Sequence, residues 1–159
     1  HASDRLLENA YYAITPTEKV KQEYVKEYTE IVSDIGAIPI EISYKEHDRV
    51  VAAISHLPHL IASSLVNLVK HNDSNKEYMK TLAAGGFKDI TRIASSSPEM
   101  WEQICLTNSS AISNILEQYI DMLETIKDNI DKKTPGYVAS LFEMSREYRN
   151  SLESRHPEH

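Results

Sequence analysis

Two short stretches place polar side chains inside otherwise apolar, helix-like sequence, and chemistry could sit at either. The first is Ser55-His56-Leu57-Pro58-His59. His56 and His59 are three positions apart, so a helix makes them neighbours on one face. Paired imidazoles can ligate a metal, move protons or donate hydrogen bonds to an anion. A zinc site asks for three or four ligands, and no third Cys, His or carboxylate stands at motif spacing from the pair, so no metal is expected. The plainer alternative is that both rings satisfy carbonyls freed by Pro58. The second stretch is Gly85-Gly86-Phe87-Lys88-Asp89-Ile90-Thr91-Arg92-Ile93-Ala94. There Asp89 and Arg92 share a helical face, where a carboxylate can orient the guanidinium and leave its other donors as a fork for a substrate carboxylate. The alternative is a surface ion pair worth at most about 1 kcal/mol. Trp101, the one tryptophan, walls a pocket or fills core. Cys105, the one cysteine, reads as a small buried hydrophobe rather than a nucleophile, and no Ser-His-acid arrangement stands out.

The bulk numbers narrow the partners. Among 159 residues, 17 Lys and Arg face 24 Asp and Glu, and the net charge of −7 argues against nucleic acid or an anionic membrane as partner. An anionic ligand would need a local cluster of cations. A single cysteine fits a reducing compartment, and the cytoplasm is expected. No uninterrupted apolar run approaches the roughly 20 residues of a bilayer span, so no membrane association is expected. Gly36, Gly85, Gly86 and Gly136 have spacings that exclude both G-x-G-x-x-G and a Walker-type loop, so no nucleotide site is legible in the chain.

The elements that must position these side chains follow from periodicity. Asn9 to Ile14 reads as a strand, and Thr15-Pro16-Thr17-Glu18 as a capping box opening a helix. Val20, Tyr24, Val25, Tyr28, Ile31, Val32 and Ile35 form that helix's apolar face, Gly36 stops it, and Ile38, Ile40 and Ile42 alternate as a second strand. A strand-helix-strand unit predicts a parallel pair. Two parallel strands cannot bury both faces, so the sheet reads as amputated upstream; an antiparallel ribbon is the alternative. Ser43 and Glu46 open a second capping box before a helical run from His47 to about Lys70, which Pro58 should kink between Ile54 and Pro58. Asp73 to Glu77 should restart a helix that stops at Gly85-Gly86, and Phe87 to Ala94 should form a short segment. Ser97-Pro98 starts a helix bearing Met100, Trp101, Ile104 and Cys105. The helix after Asn108 should bury Ile112, Ile115, Leu116, Tyr119, Ile120, Leu123 and Ile126. A break at Lys132 to Gly136 precedes a last helix with Val138, Leu141, Phe142 and Tyr148, and residues 154–159 read as a linker tail. The fold class is mainly α: a helical bundle preceded by a strand-helix-strand unit.

The runs His47-Asp48-Arg49-Val50-Val51-Ala52-Ala53-Ile54-Ser55-His56-Leu57-Pro58-His59, Gly85 to Ala94, and Ser97-Pro98-Glu99-Met100-Trp101, in this order, resemble prephenate dehydrogenases. Asn9-Ala10-Tyr11-Tyr12 and Thr15-Pro16 resemble the end of that family's dinucleotide-binding domain. The resemblance implies that residues 1–43 are a remnant of a Rossmann-type domain and 44–153 a helical dimerisation and substrate-binding domain. It implies oxidative decarboxylation of prephenate to 4-hydroxyphenylpyruvate in tyrosine biosynthesis, with NAD or NADP as hydride acceptor and a homodimer as the working form. Arg92 matches the arginine that holds a substrate carboxylate, with Asp89 as its orienting partner. His59 and Ser55 match the pocket wall, and His47, His56 and Trp101 match supporting positions. The family's glycine-rich cofactor loop and its upstream catalytic histidine have no counterpart here, and His1 matches no motif for the latter. The chain alone is therefore expected to bind no cofactor and to catalyse nothing. A non-enzymatic helical dimerisation or interaction module is the competing reading.

Overall fold

A computed structural model of the chain describes residues 5–153. Strand β1 (Tyr11–Ile14) and strand β2 (Ile38–Glu41) pair in parallel, with Tyr11 opposite Ile38 and Ile14 opposite Glu41. Helix α1 (Gln22–Asp34) is the crossover that parallel pairing requires, which disposes of the antiparallel ribbon. Helix α1 does not start at the Thr15-Pro16-Thr17-Glu18 pattern, contrary to expectation. The Val20 N–H donates to the Thr17 carbonyl at 3.0 Å, closing a separate turn, and extended Lys21 becomes the residue before the helix. The far end behaves as anticipated. Gly36 lies at φ +84°, its N–H donates to Ser33 O at 2.9 Å, and the Ala37 N–H donates to Val32 O at 3.3 Å, together a Schellman cap. Ile14, Val25, Val32 and Ala37 form a small core with Tyr12 packed against it. Tyr24, Tyr28, Ile31 and Ile35 of the expected stripe stay exposed, as do Tyr11 and Ile40, because two strands cover only part of the helix.

Helix α2 (Tyr44–Val51), a π-helical turn (Ala52–His56) and helix α3 (Leu57–Asn72) run as one continuous stretch. Ser43 Oγ accepts the Glu46 N–H at 3.2 Å, half of the expected capping box. The Glu46 carboxylate takes the Arg49 Nε–H at 3.1 Å instead of reaching back, and that bond holds its pKa below the ordinary value. The anticipated kink appears as the π turn, closed by the Leu57 N–H on Ala52 O. Pro58 has no N–H to offer and its ring crowds the carbonyl four residues back, so a widened turn removes the conflict. The stretch from Tyr44 to Asn72 is long and apolar enough to cross a membrane by length and composition alone. Counting uninterrupted apolar runs missed this, since its histidines, serines and asparagine carry no formal charge between Val50 and Val69.

The next segment departs from expectation at both ends. Asp73 to Glu77 is not helical: the Asp73 carboxylate accepts the N–H groups of Ser74 at 2.9 Å, Met79 at 3.0 Å and Lys80 at 3.0 Å, and helix α4 is only Tyr78–Leu82. Burial pushes the Asp73 pKa up, but these bonds together hold it below the ordinary carboxylate value. Gly85-Gly86 opens helix α5 (Gly85–Thr91) instead of closing its predecessor, because neither glycine takes a positive φ. A 3-10 turn (Arg92–Ser95) follows, and both α5 and this turn pack on α3. Helix α6 (Pro98–Thr107) begins as expected, with Ser97 Oγ accepting the Met100 N–H at 3.3 Å.

Helices α7 (Ser109–Asp131) and α8 (Tyr137–Glu153) complete the described chain, which forms two compact units, one up to Ile115 and one from Leu116 onward. Of the expected α7 stripe only Ile112 is buried; Ile120 and Leu123 are 47% and 45% exposed, and Phe142 and Tyr148 of α8 are each 71% exposed. Among the described residues many large apolar side chains, including Met122, Ile130 and Met144 of these two helices, are exposed. The linker expected at 154–159 lies outside the described residues.

Gly36→Ala should lower stability by about 1 kcal/mol, a backbone penalty, since the added Cβ would meet Glu8 only at ordinary contact distance, 3.5 Å. Urea unfolding checks it, and an unchanged midpoint would remove the assigned role of the cap.

Candidate functional site

The π turn and the start of α3 present two imidazoles toward α6. The His59 ring stacks on the Trp101 indole with centroids 4.1 Å apart and planes at 27°. The His56 ring meets the same indole edge-on at 6.0 Å and 81°. His59 Nδ1 lies 2.9 Å from the Ser55 carbonyl. A carbonyl only accepts, so this nitrogen carries a proton and Nε2 of the neutral ring is the free acceptor. His56 ends the widened turn and His59 lies in the first turn of α3, on either side of Pro58, and the two readings of that stretch offered by the sequence meet there: the His59 ring satisfies a carbonyl and also builds a wall.

A cavity of about 180 Å³ opens beside the stack. Leu60, Ile93, Ala94 and Pro98 give it an apolar lining, while His59, Ser63 and Ser96 supply polar groups. Ile93 and Ala94 come from the 3-10 turn, so its tight winding delivers two consecutive residues to one wall. Trp101 Nε1 is buried with no hydrogen-bond partner, which costs about 1–3 kcal/mol until an acceptor reaches it.

The structure brings His59, Trp101 and His56 together, with Ser55 contributing its carbonyl. His47 lies on α2, its Nδ1 3.2 Å from Asp48 Oδ1. Asp89 and Arg92 are both exposed and form no ion pair with each other; their link is the Arg92 backbone N–H donating to the Asp89 carbonyl. Among the described residues Arg92 makes no ion pair. Arg92 precedes the cavity-lining Ile93 in the chain but does not itself line the cavity. Asn108, unremarked in the sequence, donates through Nδ2 to the Asp48 carbonyl at 2.9 Å and approaches His56 Nδ1 at 3.3 Å. Burial, then the neighbouring His59, holds the His56 pKa below the ordinary histidine value. Among the described residues no group of three or more His, Cys, Asp or Glu gathers as a metal site.

The family described as the dimerization domain of prephenate dehydrogenase matches residues 43–144, more than half of the chain. The chain belongs to this family. It is 36% identical over 154 residues to a prephenate dehydrogenase of Bacillus subtilis, covering 97% of this chain and 42% of that protein. It is 32% identical to a cyclohexadienyl dehydrogenase of Zymomonas mobilis, covering 91% of this chain and 48% of that protein. Among solved structures it resembles prephenate dehydrogenase from A. aeolicus in complex with hydroxyphenyl propionate and NAD+, with a TM-score of 0.88 at 29% identity, covering 94% of this chain and 52% of that one. The chain thus spans about half the length of the relatives it matches, and the mainly helical fold expected from the sequence is the one this dimerization domain has.

A dinucleotide does not fit the residues present. The connection from β1 to α1 contains Pro16 and no glycine, and the first N–H groups of α1 follow a lysine rather than a glycine turn.

A double-mutant cycle with His59→Ala and Trp101→Ala should give a coupling of about 0.5–1.5 kcal/mol in chemical unfolding, the range for stacked aromatic pairs. Strict additivity would show that the stack contributes nothing to the wall.

Proposed function

We propose that this chain is the helical half of a prephenate dehydrogenase, supplying the carboxylate anchor and the dimer contact, with residues 1–43 as the end of its dinucleotide-binding domain and 44–153 as the helical domain. The observation that supports the reading is the cavity walled by the His59–Trp101 stack and lined by Ile93 and Ala94, which follow the exposed Arg92 in the chain. On this reading the full-length protein oxidises and decarboxylates prephenate to 4-hydroxyphenylpyruvate for tyrosine synthesis, with NAD or NADP as the acceptor. The substrate carries two carboxylates in a protein of net charge −7, so a local cation must hold one of them. We assign that role to Arg92, whose planar fork suits a carboxylate better than lysine does. His59 offers Nε2 and an aromatic face, Ser55 fixes that ring, and His47, His56 and Trp101 support the wall. Asp89 would take up the orienting role only after a rearrangement of its side chain.

The reading extends to a cytoplasmic homodimer without nucleic-acid or membrane partners. Its support is the negative charge, the packing of α5 and the 3-10 turn on the apolar α3, and the uncovered faces of α7 and α8. The 159 residues alone are expected to turn over no prephenate, because the hydride acceptor has no cradle among them; turnover by the pure chain would overturn this.

In the full-length protein, Arg92→Ala should weaken prephenate affinity by roughly 10- to 100-fold, the loss of one charge-assisted contact, and Arg92→Lys should restore only part of it. Steady-state kinetics and direct binding check this. Unchanged affinity would remove Arg92 from the site, and a protein that dimerises but ignores prephenate altogether would be a helical interaction module instead.

The chain should sediment as a dimer, and Ile120→Asp with Leu123→Asp should make it monomeric while helical circular dichroism persists. A monomeric unaltered chain would refute the contact.

A further inference from the structure

Asn108 stands at the break between α6 and α7, where its backbone N–H closes the first helix on Ile104 O at 3.0 Å and its carbonyl receives the Ile112 N–H at 3.1 Å. Its side chain reaches back to residues 60 and 52 positions earlier, Asp48 and His56. The Asp48 carbonyl can only accept, so the atom facing it is the amide nitrogen, and that same nitrogen is the one facing His56 Nδ1. An amide nitrogen only donates. His56 Nδ1 is consequently an acceptor, and the neutral ring carries its proton on Nε2. His56 in turn meets the Trp101 indole edge-on, while His59 stacks on the same indole.

We propose that Asn108 is a positioning residue for the His59–Trp101 wall: it fixes His56 as a neutral imidazole protonated at Nε2, ties α2 to the end of α6, and so sets where the indole stands against His59. The link to prephenate turnover rests on the function proposed above; the geometry and its first test do not. Protonating His56 would put an N–H at Nδ1 against the amide N–H, two donors facing each other, and open the tie. The groups bearing on His56 are His59 of α3, which with burial opposes protonation, Asp48 of α2, which favours it, and His47 of α2, which opposes it. Because the folded pKa is depressed, the tie is intact above the unfolded value of about 6.5 and its stabilisation is lost as pH falls from there through the folded value.

The test starts on the unaltered 159-residue chain by imidazole nitrogen NMR, with His56 assigned by its absence in His56→Gln. The expected result is a neutral His56 protonated at Nε2, titrating below about 6.5. Asn108→Asp, which replaces the donor by an acceptor of the same shape, should raise that midpoint by about one unit, tenfold in proton affinity, and move the proton to Nδ1. Asn108→Ala should reduce the ring-current shift of the His59 ring protons by Trp101 with helicity retained. A ring protonated at Nδ1 in the unaltered chain overturns the proposal, as does a midpoint that Asn108→Asp leaves in place or a ring-current shift that Asn108→Ala leaves unchanged. In the full-length protein Asn108→Ala should raise the prephenate KM more than it lowers kcat. Absence of dehydrogenase activity in the unaltered full-length protein would count against the function proposed above, whereas the NMR results decide the role of Asn108 separately.

Discussion

A proline in the middle of a long helix removes one backbone donor and crowds one carbonyl, and the site in this domain is organised around that constraint at Pro58. The chain does not break there. It widens into the π turn from Ala52 to His56, and the Leu57 N–H reaches Ala52 O. Widening keeps α2 and α3 in one stretch while leaving the Ser55 carbonyl to a side chain, the Nδ1–H of His59. That bond fixes the ring's rotation and its tautomer together, and a ring so fixed can stack on Trp101 at 4.1 Å. Moving the proline by one residue would rotate both histidines off the face that meets α6, because each position on a helix turns by about 100°.

A second constraint is how little the chain can bury by itself. The β1-α1-β2 unit has one layer of strands and one helix, so Val25 and Val32 find cover while Tyr24, Tyr28 and Ile31 on the same helix do not. The α7 and α8 stripes repeat the situation, with Phe142 and Tyr148 each 71% exposed. Apolar faces of this extent are rarely left open to water, and those of α7 and the first part of α8 fall within the match to a dimerization domain, residues 43–144.

What could be read from sequence was whatever depends on neighbours a few residues away. The Ser43 and Ser97 caps, the Gly36 stop and the disturbance at Pro58 are local, and each occurs where its pattern stood. Local patterns failed where two local solutions competed. Thr15-Pro16-Thr17-Glu18 satisfies a capping rule but serves as a turn, and Gly85-Gly86 opens a helix because glycine without a positive φ is simply a small helical residue. The Asp89–Arg92 pair has the right spacing, yet a shift from α-helix to 3-10 winding begins between them, so their side chains no longer share a regular face. Asn108 was out of reach for another reason: its partners lie 60 and 52 positions away, and no periodicity encodes such a distance.

On the proposed reading of Arg92 as a carboxylate anchor, electrostatics require the domain to be covered for that contact to be strong. Arg92 is exposed, and an exposed ion pair in water is worth about 1 kcal/mol or less, since solvent screens the guanidinium as well as it solvates the ligand. The same contact strengthens severalfold once water is excluded, because the effective dielectric falls while the charges stay where they are. The cavity walled by His59 and Trp101 is lined mostly by apolar groups, which lower the local dielectric around whatever enters it. On the function proposed above, a weak surface cation becomes a selective carboxylate anchor once a second protein surface closes over it.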